Sequence, residues 1–239
     1  MSSELNIRYS DSRRFFLGIL AAFTFLLSCP ASVWAFFIDK FPVRTVEKAD
    51  FRFNPKKGLI EWQGGESELF ILTIDGLVKE PVTLTYDDLK ALPQVEQIAD
   101  FHCVEGWSVK DTRWGGFRFG DIMKKVESAS EARYAIFHSL GETESRPRGQ
   151  DHYIESFPIS ELLDPEREIL LVLDMNGKTL PHDHGAPLRL IAPYDLGYKN
   201  IKFINRIELS YEEKPGWWTL ANPIYTIKAR VPGERLRKK

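Results

Sequence analysis

The run Phe101-His102-Cys103-Val104-Glu105-Gly106-Trp107-Ser108 decides how this chain is read. It sets one thiol among an imidazole, a carboxylate and an indole, just before a glycine that interrupts regular structure. The chain has 2 cysteines, and the other, Cys29, lies in an N-terminal segment that reads as an export signal. With that segment removed, Cys103 has no partner for an internal disulfide. Its uses are then core packing, nucleophilic attack or ligation of a soft metal. Packing is the ordinary fate of a lone cysteine, so the run alone leaves all three open.

Outward from this run the pattern is rich in strands. Residues 95–101 read as an extended run that delivers Cys103 at its end, on a loop held by a scaffold. Trp114-Gly115-Gly116-Phe117 reads as a turn. Upstream, residues 69–74 and 81–84 carry β-formers and read as a hairpin-like pair with Asp75-Gly76 at its tight turn. Thr85 then caps a short helix running to Leu92, with Asp88 at the reciprocal capping position and Pro93 as its stop. Residues 119–126 read as a short helix, and 134–138 and 169–173 as buried strands. Between them, residues 141–151 form a polar loop carrying Arg146 and Arg148, either a solvated connection or a rim for an anionic ligand. Arg148 is a candidate contact for an anionic substrate on its charge and loop position.

A third stretch, residues 174–202, carries His182, His184, Arg189, Lys199, Asn200 and Lys202, with Gly185 and Gly197 allowing close approach of backbone. Histidines two apart suggest half a zinc site, but Pro181 opposes a regular helix there and no third ligand stands at a customary spacing. The donor set suits a phosphorylated ligand instead. Its plain alternative is a solvated loop.

Composition bounds these readings. With 239 residues, 43% of them hydrophobic and 28% charged, the chain can build one substantial core. A formal charge of -2 gives no general attraction to nucleic acid, and no nucleic-acid partner is expected. Residues 1–38 read as a twin-arginine export signal or a membrane anchor. Ser12-Arg13-Arg14 precedes an uncharged run over 15–38, long enough to span a bilayer if it is not cleaved. Val33-Trp34-Ala35 offers a cleavage site and Leu26-Leu27-Ser28-Cys29 loosely resembles a lipoprotein box. Each outcome places the folded part outside the cytoplasm, in the periplasm, free or membrane-anchored.

Taken in order, residues 101–108, 114–117, 175–180, 184–190 and 197–202 resemble the molybdopterin domain of the sulfite oxidase family. The likeness is closer to its branch of bacterial periplasmic protein-methionine-sulfoxide reductase catalytic subunits. It covers residues 66–225, with 39–65 as an N-terminal extension and 226–239 as a basic C-terminal tail. The resemblance implies an α+β, β-rich mixed fold that buries a molybdenum–molybdopterin cofactor, with Cys103 as the protein thiolate on the metal. It maps cofactor contacts onto Ser139, His184, Arg189, Asn200, Ile201 and Lys202. Glu105 would line the metal's open face as a catalytic group, and Trp107 would wall the cavity. His102 stands where that branch has arginine, and His184 where it has asparagine.

The activity implied is oxygen-atom transfer, reducing sulfoxides with electrons from a separate haem protein such as a membrane haem subunit. No haem, flavin or nicotinamide motif is evident in the chain, so a carrier protein is expected. The alternative is a sulfite dehydrogenase passing electrons to a cytochrome c. A metal-free binding module of the same fold, and a thiol hydrolase pairing Cys103 with His102 or His138, are the readings from other classes.

Overall fold

The computed structural model describes residues 45–237. The export or anchor segment of residues 1–38 lies outside the described residues. Among the described residues, no helix is long and apolar enough to cross a membrane.

Three sheets carry the structure. The first is small and antiparallel, built from β1 (Phe51–Asn54), β2 (Leu59–Trp62) and β3 (Ser67–Leu69). Its β1 and β2 come from the stretch read as an extension and pair with β3 of the main domain, and Phe51 and Ile60 are buried in the main core. The second sheet runs β11 (Lys178–Thr179), β10 (Leu170–Met175), β7 (Ser108–Phe117), β6 (Val95–His102), with β12 (Arg189–Ile191) also on β10. The third runs β5 (Val82–Thr85), β4 (Ile71–Gly76), β13 (Ile204–Ser210), β8 (Tyr134–Ser139), β9 (Ile154–Pro158). All its pairings are antiparallel except β4 with β13, which is parallel.

Four short α-helices punctuate the strands of the described residues: α1 (Tyr86–Lys90), α2 (Phe119–Met123), α3 (Ile159–Leu163) and α4 (Trp217–Ala221). The expected capping box opens α1. Asp88 donates its N–H to Thr85 Oγ1 at 3.2 Å while Thr85 N–H donates to Asp88 Oδ2 at 2.8 Å. Such a cap is worth about 1 kcal/mol, and the i,i+3 ion pair of Asp87 with Lys90 at 2.7 Å adds to it in this helix of five residues. Helix α2 ends earlier than expected, and turn bonds from Lys125 to Ile122 and from Val126 to Met123 complete the segment.

Leucine, isoleucine and phenylalanine from all three sheets fill one core, including Leu72, Ile74, Phe117, Phe137, Leu171, Leu190 and Ile207. Strand β10 shows why it was legible: residues 169–173 are apolar throughout, and all five are buried.

Two expectations about turns are corrected. Asp75 and Gly76 do not reverse the chain; they continue β4 and pair with Glu208 and Leu209 of β13. The chain reverses farther on, before β5. Likewise Trp114, Gly115, Gly116 and Phe117 are the last residues of β7, paired with β10, and not a turn. The reason is the same in both places. A Cβ on Gly76 would stand 2.3 Å from Leu209 O, and one on Gly116 would stand 1.9 Å from Leu171 O. These glycines admit a neighbouring backbone, a use that sequence cannot tell from a turn.

Candidate functional site

Strand β6 delivers Cys103 at its C-terminal end, as the sequence predicts. Cys103 N–H donates to Trp107 O at 2.9 Å and Gly106 N–H to Cys103 O at 3.2 Å, closing a tight turn before β7 begins. Gly106 takes the left-handed conformation this turn requires, at φ 96°. The thiol is half-buried. Its Sγ stands 3.9 Å from Glu105 Oε2, and that same oxygen accepts a 3.2 Å bond from Trp107 Nε1. The indole thereby fixes the carboxylate beside the sulfur. His102 is buried on the other side of the strand, its Nδ1 2.7 Å from Ser108 Oγ. Burial, and then the field of Arg235, hold its pKa below the usual histidine value.

Phe101 links this loop to the second candidate segment. Its ring lies 6.1 Å from that of Trp107 and 5.9 Å from the guanidinium carbon of Arg189. Trp114 holds the same guanidinium at 5.2 Å. Gly197 comes so close that a Cβ there would stand 2.4 Å from Phe101 Cζ. Residues separated by nearly a hundred positions thus meet around one aromatic ring.

Arg189 is buried, and burial pushes its pKa down to about 10. Its Nη1 donates to His184 O at 2.8 Å, but its buried Nε has no acceptor among the described residues. Lys202 lies in the same region, its Nζ 3.5 Å from Asp183 O and 5.2 Å from the Phe203 ring centroid. Burial pushes its pKa down to about 8, while Glu47 opposes the shift and Arg189 adds to it. Among the described residues neither cation forms an ion pair. Glu47 is the nearby carboxylate that acts on both, a single charge against two buried cations; that balance is costly, and a dianionic ligand would offset it. His184 sits at the end of a short 3-10 turn, His182–His184, and is itself buried.

The other residues of this segment serve as supports. Asn200 spends its side chain on backbone: Oδ1 accepts Ala192 N–H at 2.7 Å, and Nδ2 donates to Leu196 O at 3.3 Å. Ile201 belongs to the hydrophobic core. Lys199, counted above among the phosphate donors, is instead in a buried ion pair with Glu155 Oε2 at 2.7 Å and donates to Ser156 O at 2.7 Å. Asp195 is clamped by Arg167 at 2.7 Å and Arg230 at 2.8 Å. These bonds hold the loop on which Lys202 stands.

Ser139 ends β8, its Oγ accepting Tyr153 N–H at 3.1 Å; the next residue, Leu140, donates to Phe203 O at 2.7 Å. That bond brings Ser139 beside the Lys202 segment. Arg148 is exposed, on the 3-10 turn Pro147–Gly149 that packs against α4. Among the described residues no hydrogen bond ties it to the Cys103 loop. His138 commits Nδ1 to His152 at 2.8 Å and Nε2 to Glu208 at 3.2 Å, so both ring nitrogens are spent away from the thiol.

Sequence reasoning missed two contributors. Glu47, buried, reaches Arg189 and Lys202 electrostatically and is placed by a bridge to Thr143. Arg235 binds the Cys103 turn itself. Neither stands in a motif, and only the fold brings them to the site.

A thiol-bearing loop beside a segment with two buried cations outside any ion pair among the described residues, on this three-sheet scaffold, is the arrangement of a domain that binds an anionic cofactor. A sequence model of the oxidoreductase molybdopterin binding domain matches residues 61–218, and the chain belongs to that family. It is 36% identical over 157 residues to the protein-methionine-sulfoxide reductase catalytic subunit MsrP of Ralstonia nicotianae, a match covering 64% of this chain and 47% of that protein. The sulfane dehydrogenase SoxCD of Paracoccus pantotrophus shares the fold at a TM-score of 0.52 and 20% identity, covering 71% of this chain and 49% of that one. The chain therefore spans about half the length of these relatives. The sulfite oxidase-type α+β fold and the molybdopterin cofactor implied by the sequence resemblance both stand.

Proposed function

We propose that this chain is the catalytic part of an exported molybdenum–molybdopterin enzyme that reduces sulfoxides, with protein methionine sulfoxide as the substrate class. The observation that carries the cofactor site is the buried pair Arg189 and Lys202, with Arg189 Nε lacking an acceptor among the described residues. A pterin phosphate adds the negative charge that Glu47 alone does not supply to two cations, and the guanidinium fork and the ammonium suit its oxygens. His184 and Ser139 stand beside these cations to complete the cradle.

Cys103 is the residue that would bind molybdenum. Among the described residues no group of three His, Cys, Asp or Glu side chains is arranged to hold a metal ion. A metal at Cys103 must then bring most of its ligands with it, as a pterin dithiolene does, and a soft thiolate suits it. When bound, the cofactor supplies two-electron oxygen-atom exchange. Glu105, 3.9 Å from the sulfur and steadied by Trp107, is placed to hold a proton at Oε2 beside the reacting position. Trp107, half-exposed at the rim, restricts water and offers an apolar surface to a thioether or sulfoxide group. Arg148, exposed on its loop, is the proposed contact for the polar part of the substrate.

Electrons come from a separate haem protein; the relative's own name, a catalytic subunit, supports a partner of this kind. The twin-arginine pattern of Ser12-Arg13-Arg14 supports export to the periplasm with the folded part carried across.

The test is molybdenum and pterin content of the wild type and Cys103→Ser, followed by assays with a reduced dye as donor to sulfoxides and with an oxidised dye as acceptor from sulfite. Loss of sulfoxide turnover in the serine variant, with pterin still bound, is the expected result. Equal turnover in the two proteins overturns the metal assignment, and turnover with sulfite alone reverses the direction of the reaction.

A further inference from the structure

The C-terminal residues from Ala229 onward cross from one half of the site to the other. Leu196 N–H donates to Ala229 O at 2.7 Å and Val231 N–H to Tyr194 O at 3.0 Å, so this segment pairs with the loop that leads into Gly197 and Lys202. Arg230 adds its ion pair to Asp195. A short 3-10 turn, Gly233–Arg235, then redirects the chain to the Cys103 loop.

There Arg235 takes hold of both ends of the turn. Its Nη1 donates to Cys103 O at 3.0 Å, and its Nη2 donates to Trp107 O at 2.7 Å and to Ser108 Oγ at 3.1 Å. Trp107 O already accepts the Cys103 N–H, and Ser108 Oγ faces His102. One planar cation therefore braces the two carbonyls that define the turn's geometry. Two residues on, Arg237 donates to Asp100 through Nε at 2.9 Å and through Nη2, and to Asp111 Oδ1 at 2.7 Å. Asp100 lies at the register shift between Ala99 and Phe101, and Asp111 on the facing strand β7. The strands entering and leaving the turn are thus stapled together as well.

Without these contacts the turn is a ribbon tip whose residues Val104, Glu105, Gly106 and Trp107 are exposed. Such tips fray, and their stability lies at the low end of a fold's range. We infer that Arg235 is a positioning residue for the Cys103 thiol, and that the segment 229–237 is a strap coupling the Cys103 loop to the loop carrying Lys202. The strap lies beyond residues 61–218, the part matched by the family's sequence model. This inference rests on the reading of Cys103 as the metal ligand.

The experiment uses the full chain, loaded with cofactor as purified, in wild type, Arg235→Met, Arg235→Lys and Cys103→Ser forms. Three readouts are taken: hydrogen exchange of residues 103–108, the paramagnetic resonance signature of the bound molybdenum, and kcat and KM per molybdenum for a small sulfoxide. Arg235→Met is expected to speed exchange of the turn about tenfold. It should also shift the resonance signature and lower kcat per molybdenum about tenfold, leaving KM within about twofold. Arg235→Lys, which keeps the charge but replaces the planar fork of two nitrogens by one flexible ammonium, is expected to fall between. If exchange is unchanged in Arg235→Met, or rises with no change in signature or kcat per molybdenum, the inference is overturned. Should Arg235→Met fail to fold, a wild-type signature and exchange rate in Arg235→Lys overturns it equally. Molybdenum with a wild-type signature in Cys103→Ser would instead refute the metal assignment, while the exchange data still judge the strap.

Discussion

Replacing Lys202 by methionine tests the cofactor cradle through its pH dependence. The ammonium is 8% exposed, faces Glu47, Asp183 and Arg189, and has its pKa pushed by burial from 10.5 down to about 8. The folded state disfavours the charged form, so the unfolded chain binds more protons wherever pH lies between these two values. The penalty is fully present below pH 8 and is relieved as pH rises from 8 to 10.5. A displacement of that size corresponds to about 3 kcal/mol. Against it stand a long 3.5 Å bond to Asp183 O and a ring contact at 5.2 Å, each worth under about 1 kcal/mol. In cofactor-free protein, urea unfolding at pH 7 should therefore find Lys202→Met more stable than wild type by about 2 kcal/mol. The gap should narrow as pH rises from 8 through 10.5 and close above that, where Lys202 is neutral in both states. In loaded protein the phosphate keeps the ammonium charged, and the wild type loses its rise in stability above pH 8. A gap that does not vary with pH, or a variant less stable than wild type at pH 7, would falsify the account of Lys202 as an uncompensated cation.

The same logic predicts that Arg189→Met shifts the melting temperature of cofactor-free protein by less than about 4 °C, because lost solvation cost and lost bonds nearly cancel. Its pterin content, read by fluorescence after release, should fall at least tenfold relative to wild type; retained pterin rules out the phosphate role. Gly116→Ala forces a Cβ to within 1.9 Å of Leu171 O, and should cost about 3 kcal/mol or more in a denaturant titration. A cost near zero there means that β7 and β10 are not in the register described. Arg148→Ala should raise KM for a peptide sulfoxide about threefold or more with kcat unchanged. An unaltered KM removes Arg148 from substrate binding.

What the sequence disclosed, and what it concealed, follows from how local each signal is. The Thr85 and Asp88 cap involves residues three apart, and it is present as expected. The all-apolar run over 169–173 could only be a buried segment, and β6 ends at His102, just before Cys103, where the turn through Gly106 begins. The glycines at 76 and 116 were opaque because a tight turn and a close strand make the same demand on a residue. Lys199 looked equivalent to Lys202 until Glu155, 44 positions upstream, claimed it. Arg235 and Arg237 read as part of a basic C-terminal tail, since their partners, Asp100 and the carbonyl of Cys103, lie more than a hundred positions upstream.

The parallel pairing of β4 with β13 has its own consequence for how the enzyme comes into being. Ile74 of one strand lies against Ile207 of the other, so most of the chain must emerge before this ladder can close. The loop bearing Lys202 ends where β13 starts, and its Phe203 hangs on Gly185 O and Leu140. A ribosome-bound or truncated polypeptide lacking residues 204–210 accordingly offers no finished cradle, and prosthetic-group insertion is deferred until those residues have been made and paired.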